Sequence, residues 1–466
     1  MTDLDLETAG VDDVMKAMAG GVVSSVGLVH GYLRRIDELD RQGPAVHAVR
    51  CLAPDAEEQA AARDRERAAG ADLGPLHGVP VLVKDNIDVA GMPTTGGALA
   101  LEHSVPDRDA DLVIRLREAG AVVLGKTNLT ELANFMTEGM PSGYSSLGGQ
   151  VLNPYDVSLT PCGSSSGSGA AAALGLATVT VGTETDGSIL CPCDAQSLVG
   201  VKPTVGAVSG TGILPIATSQ DCAGPMTRTV QDAAVLLAVL SGRDLELQPS
   251  ALGGARLVAP PPPDDLDAED RDLLLAAIEA VRAQGATVVD VPGMSETDET
   301  PVLHYEFDRD VDAYLARLPE GAPRRTMADI ARWNEDNAGT ALKYGQKHVL
   351  AALDVDHARD REAYLAQRAR DVAMAGQHGI DALLAAHGAD AVLMPSWRGA
   401  GIAARAGYPS VIVPAGYRPS SRRPFGVSFL GRAGGEATLL ALALHLEQAT
   451  RLRRPVSAVN PSLMRA

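Results

Sequence analysis

The sequence predicts an α/β fold, because helical and strand-like segments alternate along it. Residues 111–120 carry apolar side chains at helical spacing and end in glycine, and a short apolar strand pattern follows at 121–125. The same order recurs at 270–291 and at 379–394. Such alternation favours a sheet with helices on both faces.

The length and composition allow one large domain or two ordinary ones. The chain has 466 residues, of which 45% are hydrophobic and 21% charged, so it buries a sizeable core. Four prolines at 260–263 mark either a domain boundary or a surface loop. The α/β pattern continues on both sides, which favours a loop within one domain. Residues 300–375 are charged and mostly helical in pattern, and we expect a helical insertion or cap there.

The net charge of -19 argues against a nucleic acid or an anionic membrane surface as the partner, because both would repel the chain. The N-terminal residues do not join a basic end to an apolar run, and no stretch of about eighteen apolar residues occurs. We therefore expect a soluble, cytoplasmic protein.

The cysteines do not predict a disulfide framework, since five is an odd and sparse number for this length. They are Cys51, Cys162, Cys191, Cys193 and Cys222. A zinc site at Cys191-Pro-Cys193 is disfavoured because paired zinc ligands are usually spaced by two to four residues. No metal is expected.

One phosphate-binding pattern is a chance match. Residues 120–127 fit G-x-x-x-x-G-K-[ST], but that loop must follow a strand and open a helix. Here a helix pattern precedes Gly120, and Val-Val-Leu within the motif is typical of a strand. Nucleotide binding is therefore disfavoured.

The stretch PCGSSSGSG at 161–169 is either a flexible linker or a place where a serine does chemistry. Residues 163–167 satisfy G-x-S-x-G, the nucleophile elbow of α/β-hydrolases. An elbow follows an apolar strand, whereas prolines and polar residues precede this one. The sequence between His103 and His304 contains no histidine, although a distant histidine can reach a site through the fold.

Lys84 is a candidate base. It is one of six lysines and directly follows the apolar run 79–83. A lysine at the end of a buried strand is costly to keep charged, so its pKa is expected to fall. The alternative is a structural lysine paired with Asp85 or Asp88 at a strand edge. This segment alone does not decide between the two.

A second serine lies in a turn at residues 178–193. A strand pattern leads into Thr-Glu-Thr-Asp-Gly and then Ser188, and successive N–H groups in such a turn can stabilise a developing oxyanion. A small-residue helix pattern joins this turn to the loop at 161–169, so the two serine-bearing turns are expected to face one pocket.

These segments together resemble the amidase signature family. The resemblance is carried by GVPVLVKDNIDVAGMPTTGG around Lys84, PCGSSSGS around Ser164 and GTETDGSI up to Ser188, and it extends over nearly the whole chain. Most members have two glycines before the nucleophile and an arginine two residues after it, where this chain has Asp186-Gly187 and Leu190. With these departures, and with PCGSSSGS, GGQVLNPY at 148–155 and SQDCAGPM at 219–226, the chain resembles the peptide amidase branch.

The resemblance implies a single domain over residues 1–466, with a central mixed sheet and a catalytic core at about 70–230. It also implies that residues 300–375 lie on the substrate side. There, aromatic and acidic residues form either a packed face under a solvated surface or an acidic pocket mouth. They are Tyr305, Tyr314, Trp333, Tyr344, Asp308, Asp310, Glu335 and Asp336.

The family's catalytic roles are carried over to matching positions only. Ser188 is then the nucleophile, Lys84 the neutral base, and Ser164, after a cis peptide bond, the relay between them. The backbone N–H groups of four residues would form the oxyanion hole, and three further residues would shape the loop. The first set is Thr185, Asp186, Gly187 and Ser188, and the second is Gly163, Ser165 and Ser166. No metal or organic cofactor is implied.

The expected activity is hydrolysis of a small-molecule or peptide carboxamide through an acyl-enzyme. An acyltransferase or amide-forming enzyme that passes the same acyl group to an amine stays open, as does a non-catalytic binding protein. An amidotransferase that feeds ammonia to a tRNA-bound substrate is disfavoured by the acidic charge. The sequence leaves a monomer and a homodimer equally open.

Overall fold

The computed structural model describes residues 4–71, 73–248, 250–294 and 300–465. Within these ranges the chain forms an α/β unit around an eleven-stranded mixed sheet, with a separate two-stranded hairpin. The strands are β1 (Val49–Leu52), β2 (Pro80–Lys84), β3 (Val122–Thr127), β4 (Tyr144–Ser145), β5 (Gly149–Gln150), β6 (Val179–Glu184), β7 (Val199–Lys202), β8 (Cys222–Thr227), β9 (Arg256–Ala259), β10 (Thr287–Asp290), β11 (Ala391–Pro395), β12 (Ser410–Tyr417) and β13 (Pro424–Leu430).

Helices cover both faces of the sheet. They are α1 (Val11–Ala19), α2 (Ser25–Arg35), α3 (Ala56–Ala68), α4 (Asp111–Glu118), α5 (Ser166–Leu174), α6 (Leu190–Ala195), α7 (Val230–Ser241), α8 (Ala268–Ala283), α9 (Thr300–Leu315), α10 (Met327–Asp336), α11 (Ala338–Ala341), α12 (Lys347–Leu353), α13 (Arg361–Val372), α14 (Ala382–His387), α15 (Ala400–Ala406), α16 (Glu436–Thr450) and α17 (Val456–Val459). Wider π-helical turns occur at Ile36–Arg41 and Ala373–Asp381, and 3-10 turns at Leu99–Leu101, Glu131–Asn134 and Leu463–Arg465.

The predicted α/β fold is confirmed. The three predicted helix–strand pairs correspond to α4 with β3, α8 with β10, and α14 with β11. The proline run at 260–263 joins β9 to α8, and β9 and β10 lie in the same sheet, so it is a loop within one domain. The segment 120–127 that matches the phosphate-binding pattern ends in strand β3. Its backbone groups are paired with strand β2 and are therefore not free to bind a phosphate.

The sheet order is β1-β3-β2-β6-β8-β7-β12-β13-β11-β9-β10. Strands β3, β2 and β6 run parallel to one another, with Lys84 opposite Thr127 and Val83 opposite Val181. Their carboxyl ends therefore meet at one edge of the sheet. Lys84 and Glu184 end neighbouring strands at this edge, and it is here that the serine-bearing turns lie.

Helix α5 begins at this edge and consists almost entirely of small residues, all of them buried. The reason is close packing against backbone. A Cβ on Gly167 would lie 2.4 Å from the carbonyl oxygens of Ala48 and Asn128. Only glycine at this position allows α5 to approach the sheet edge so closely.

The predicted helical character of residues 300–375 is confirmed by α9 to α13. Buried Phe307 and Val311 of α9 pack in an apolar cluster with Leu132 and Phe135, apart from the main core. Phe135 meets the ring of Phe307 edge-on at 5.0 Å between centroids. The helical segment is thus attached to the loops at the carboxyl edge of the sheet, beside the predicted site.

The cysteines form one disulfide, which the disfavoured disulfide framework did not anticipate. Cys162 and Cys191 are bonded, with Cα atoms 5.7 Å apart, whereas Cys51, Cys193 and Cys222 are free. The fold brings together two cysteines that are 29 positions apart, which their number alone does not reveal. The same bond removes Cys191 from any zinc site. Disulfides are typical of oxidising compartments, so the cytoplasmic location stays a prediction.

In the described ranges, no helix combines the length and the apolar character that crossing a bilayer would require.

Candidate active site

Lys84 ends strand β2 and is fully buried. Its Nζ donates hydrogen bonds to Ser164 Oγ at 2.7 Å, to Thr183 Oγ1 at 2.9 Å and to the Thr183 carbonyl at 3.2 Å. Burial lowers the pKa of its ammonium group to about 7, and the charges of Asp221 and Glu184 oppose that shift. Near neutral pH a substantial fraction of Lys84 is therefore an uncharged amine that can accept a proton.

The two acids that could have made Lys84 a structural ion pair have other partners. Asp85 lies 3.4 Å from Nζ of buried Lys126, and the Arg50 guanidinium donates to it at 3.1 Å. Asp88 accepts a hydrogen bond from the Tyr314 hydroxyl at 2.6 Å. Among the described residues, Lys84 therefore contacts the serine loop and Thr183 rather than pairing with Asp85 or Asp88.

The loop before α5 carries Ser164 to Lys84. The Gly163–Ser164 peptide bond is cis, and the Ser164 carbonyl accepts the Thr130 N–H at 3.0 Å. Ser165 Oγ donates to the Thr183 carbonyl at 3.0 Å, which fixes the loop to the end of β6. Ser166 Oγ donates to the Cys162 carbonyl at 2.5 Å and closes the loop on itself.

The turn after β6 carries Ser188, of which 7% is exposed. The Ser165 N–H donates to the Ser188 carbonyl at 3.2 Å, so the two serine-bearing turns are in direct contact. The Ser188 hydroxyl itself makes no hydrogen bond to any residue within the described ranges. The Cys162–Cys191 disulfide also links the Ser164 loop to the segment that follows Ser188.

Unengaged N–H groups surround Ser188. Those of Thr185, Gly187 and Ser188 donate to no residue among the described parts of the chain, and Asp186 lies between them in the same turn. The next two N–H groups, of Ile189 and Leu190, both donate to Glu184 Oε2, at 2.7 and 2.9 Å. The turn can therefore present several N–H donors to a negatively charged oxygen near Ser188.

Asp221 is a site residue that sequence reasoning did not single out. It accepts the Thr185 hydroxyl at 2.5 Å and the N–H groups of Ile216 and Ala217 at 2.9 and 3.1 Å. Packing around the carboxyl group raises its pKa to about 7, and the bond from Thr185 opposes that shift. The segment SQDCAGPM contains it, but nothing local in those letters shows that it lies beside the lysine.

A cavity of about 170 Å³ opens next to these groups. Its lining includes Asn86, Thr183, Thr185 and Asp221 together with apolar side chains of the loop around Leu214. Asn86 Nδ2 donates to Thr183 Oγ1 at 3.0 Å, while its side-chain oxygen Oδ1 is buried and accepts no hydrogen bond from the residues that the structure describes. Space for a small polar group therefore exists beside Thr183, a hydrogen-bond partner of Lys84, and beside Thr185 of the turn that carries Ser188.

Trp397 is the second residue missed from the sequence. A Cβ built on Gly187 would lie 3.1 and 3.3 Å from two ring carbons of Trp397, so the indole covers that face of the turn. The residue as a whole is nevertheless 37% exposed. Trp397 follows strand β11, far along the chain, and only the fold brings it to Gly187.

The predicted residues of 300–375 divide between the two readings. Tyr344, Glu335 and Asp336 are exposed, and Asp308 and Trp333 are half-buried, whereas the other three are packed. Tyr305 is buried and stacks on Tyr364 at 4.0 Å, and Tyr314 is buried against Asp88. Asp310 is buried and accepts the N–H and the hydroxyl of Thr218, at 2.9 and 2.7 Å. Asp310 thus attaches α9 to the loop that precedes Asp221.

The family follows from a comparison with known proteins. A family model described as "Amidase" matches residues 27–440, which is most of the chain. The chain belongs to the amidase signature family. The resemblance inferred from the three sequence segments is thereby confirmed. The departures at Asp186 and Leu190 remain compatible with membership.

Relatives agree along almost the full length of this amidase. A protein of Arabidopsis thaliana named "Probable amidase" is 36% identical over 97% of this chain and 91% of its own. A glutamyl-tRNA(Gln) amidotransferase chain of Nitratidesulfovibrio vulgaris is 33% identical over 95% and 97%. The solved peptide amidase of Stenotrophomonas maltophilia is 43% identical, covers 96% of this chain and 98% of its own, and superposes with a TM-score of 0.91.

Family membership and the peptide amidase neighbour together make this chain an amide-hydrolysing C–N hydrolase. The neighbour also has the same single large α/β architecture.

Proposed function

We propose that this amidase hydrolyses the carboxamide of a peptide amide, or of a related small amide, with Ser188 as nucleophile, Ser164 as relay and Lys84 as base. The observation that supports this assignment best is the 2.7 Å contact between Lys84 Nζ and Ser164 Oγ in a fully buried position. A lysine of which a substantial fraction is uncharged near neutral pH, placed beside a serine hydroxyl, is suited to take a proton from it.

The reaction would run in two halves. Ser188 Oγ attacks the amide carbon as its proton passes to Ser164 Oγ and the proton of Ser164 passes to Lys84. The carbonyl oxygen becomes an oxyanion facing the N–H groups of Thr185, Asp186, Gly187 and Ser188. The C–N bond then breaks, and the departing nitrogen takes a proton back through Ser164, which leaves an acyl group on Ser188.

Water completes the cycle. It attacks the Ser188 ester while Lys84, through Ser164, accepts its proton, and the acid leaves as the Ser188 hydroxyl is restored. Gly163, Ser165 and Ser166 would hold the loop during both halves. The Ser165 N–H bond to the Ser188 carbonyl keeps relay and nucleophile in register. No step requires a metal or an organic cofactor.

The peptide amide is favoured as substrate because the Stenotrophomonas protein is a peptide amidase and is similar over nearly the whole chain. The net charge of -19 makes nucleic acid and anionic membranes poor partners for the same chain. We therefore propose a small-molecule or peptide amide as the physiological partner and a cytoplasmic site of action, with either a monomer or a homodimer as the active form.

Acyl transfer to an amine remains the second candidate, because the same acyl group on Ser188 can be intercepted. The similarity to an amidotransferase chain keeps this candidate in view, whereas a binding protein without activity would not need the Lys84–Ser164 contact. Products formed with and without a large excess of an added amine distinguish hydrolysis from transfer.

The direct test is a panel of peptide amides, aryl amides and short aliphatic amides, assayed with the wild type and with Ser188→Ala. We expect the wild type to release ammonia from peptide amides and the variant to be inactive but folded. Mass spectrometry of the quenched wild-type reaction should find an acyl adduct on the peptide that contains Ser188. Turnover by Ser188→Ala, or an adduct on Ser165, would refute the assignment.

A further inference from the structure

Trp397 combines three features that the hydrolytic mechanism does not use. It is one of two tryptophans in the chain, its ring contacts the turn that carries Ser188, and more than a third of it is exposed. Aromatic side chains are common in the lining of ligand sites. A partly exposed tryptophan beside the turn that carries the nucleophile therefore suggests a surface that substrate covers.

Hydrogen bonds on both sides of Trp397 hold its backbone in place. The preceding residue, Ser396, donates its hydroxyl to Asp194 Oδ2 at 2.7 Å and its N–H to the Gly426 carbonyl at 2.8 Å. The Gly426 N–H in turn donates to Asp194 Oδ1 at 2.7 Å. On the other side, the Trp397 carbonyl accepts the Ala400 N–H at 2.9 Å, at the start of α15.

Asp194 connects this support to the catalytic turn. It is buried in α6, the helix that begins two residues after Ser188. One helix therefore continues from the nucleophile and also fixes, through Ser396, the residue that presents the indole. The ring and Ser188 are placed by the same short element, which gives a substrate contact at Trp397 a defined geometry relative to the scissile bond.

Gly187 lies against the Trp397 ring. Gly187 has φ +74°, and any side chain there would meet the indole. Glycine at 187 thus lets the turn lie against the ring. This explains the glycine directly before Ser188.

We propose that Trp397 is a specificity-determining residue. Its exposed face would stack against the side chain of the residue that bears the carboxamide, and so select amides of aromatic and large apolar amino acids. This inference rests on the proposed function. Stacking on an indole is worth most for flat, polarisable side chains and little for a methyl group. The contact is made in the ground state and the transition state alike, so it should act on KM rather than on kcat.

The kinetic test compares N-acetyl-phenylalaninamide with N-acetyl-alaninamide. In Trp397→Ala, kcat/KM for the phenylalanine amide should fall about 10-fold through KM, while the alanine amide changes little. Trp397→Phe should keep most of the preference. Val22→Ala, which truncates an exposed apolar residue after α1, is the matched control and should leave the kinetics of both substrates unchanged. An unaltered phenylalanine-to-alanine ratio in Trp397→Ala would overturn the proposal.

A binding test does not depend on turnover. Because the chain has two tryptophans, Trp333→Phe in a Ser188→Ala background leaves Trp397 as the sole reporter. N-acetyl-phenylalaninamide should then shift or quench its fluorescence, excited at the red edge where phenylalanine does not absorb. The companion variant Trp397→Phe with Ser188→Ala, reporting through Trp333, should show no change. Equal responses from both reporters, or none from Trp397, would overturn the inference.

The two arms separate the inference from the proposed function. If the wild type hydrolyses no amide but Trp397 fluorescence responds to N-acetyl-phenylalaninamide, the proposed catalysis fails and the contact stands. If amides are hydrolysed without any effect of Trp397→Ala on selectivity, the catalysis stands and the specificity role fails.

Discussion

Lys84 Nζ and Ser164 Oγ lie 2.7 Å apart where the lysine has no exposed surface, and this contact links the end of strand β2 to the loop before α5. Since burial lowers the pKa of Lys84 to about 7, its protonation should limit activity on the acid side. Below that pH the lysine is charged and cannot accept a proton, whereas above it the neutral amine persists. We expect kcat/KM to rise through about pH 7 and to hold toward alkaline pH.

Two variants at Lys84 test whether this lysine causes the loss of activity at acid pH. Lys84→Arg keeps a positive charge that does not titrate in this range, so activity should be nearly lost at every pH. Lys84→Met keeps much of the volume and should be equally inactive. Circular dichroism must show both to be folded. Robust turnover by Lys84→Arg would remove the lysine from the mechanism.

Asp221 should change the pH at which Lys84 is protonated. Its negative charge raises the pKa of Lys84, opposing burial. Asp221→Asn keeps an oxygen for the Thr185 hydroxyl but removes the charge, so the acid limb of the pH profile should move to lower pH.

Asp221→Glu is the control for Asp221→Asn, because it retains the charge and should leave the limb nearer its original position. The measurement is kcat/KM against pH for the three proteins with one substrate. The role of Asp221 would be contradicted if the acid limb of Asp221→Asn moved to higher pH. It would also be contradicted if the limb did not move although the variant is folded and active.

The sequence predicted the parts of the site that are local. Lys84 directly follows an apolar run, and Ser164 and Ser188 lie in turns flanked by a helix and a strand, so pattern and spacing locate them. The residues from 111 to 125 likewise show their helix and strand in the letters alone. Family resemblance supplied the roles, which spacing could not.

The missed residues reach the site only through tertiary structure. Asp221 approaches Lys84 because β8 pairs with β6, and Trp397 reaches Gly187 from the end of β11, across the sheet. The Cys162–Cys191 bond depends on the same folding back of the chain. No local pattern marks such partners, because each is defined by a neighbour that is distant in sequence.

Close packing of α5 gives a prediction about stability. Gly167→Ala would place a methyl carbon 2.4 Å from two carbonyl oxygens, so the helix must move from the sheet edge. We expect a loss of about 1 to 3 kcal/mol in the free energy of unfolding and lower activity, because α5 carries the Ser164 loop. Gly339→Ala, where a Cβ meets nothing within 4 Å, is the control and should be neutral. Urea unfolding of both variants decides the matter, and equal stabilities would contradict the packing argument.

The Cys162–Cys191 bond should stabilise the catalytic loops as well as the fold. It closes a segment with a sequence separation of 29, for which chain entropy gives roughly 3 to 4 kcal/mol. The closed segment contains both Ser164 and Ser188, so loosening it should let relay and nucleophile drift apart. Cys162→Ser and Cys191→Ser should therefore unfold at lower urea concentration and lose kcat more than KM.

Cys51→Ser is the matched control for the disulfide, since Cys51 is free and partly exposed and its loss should change neither quantity. Treatment of the wild type with a reductant should reproduce the Cys162→Ser defect, and reoxidation should restore activity, because only then do the two loops regain their covalent link. Counting thiols under denaturing conditions before and after reduction gives the number of bonds opened. Full activity and unchanged unfolding in Cys162→Ser would show that the noncovalent contact between the Ser165 N–H and the Ser188 carbonyl is sufficient to align the loops.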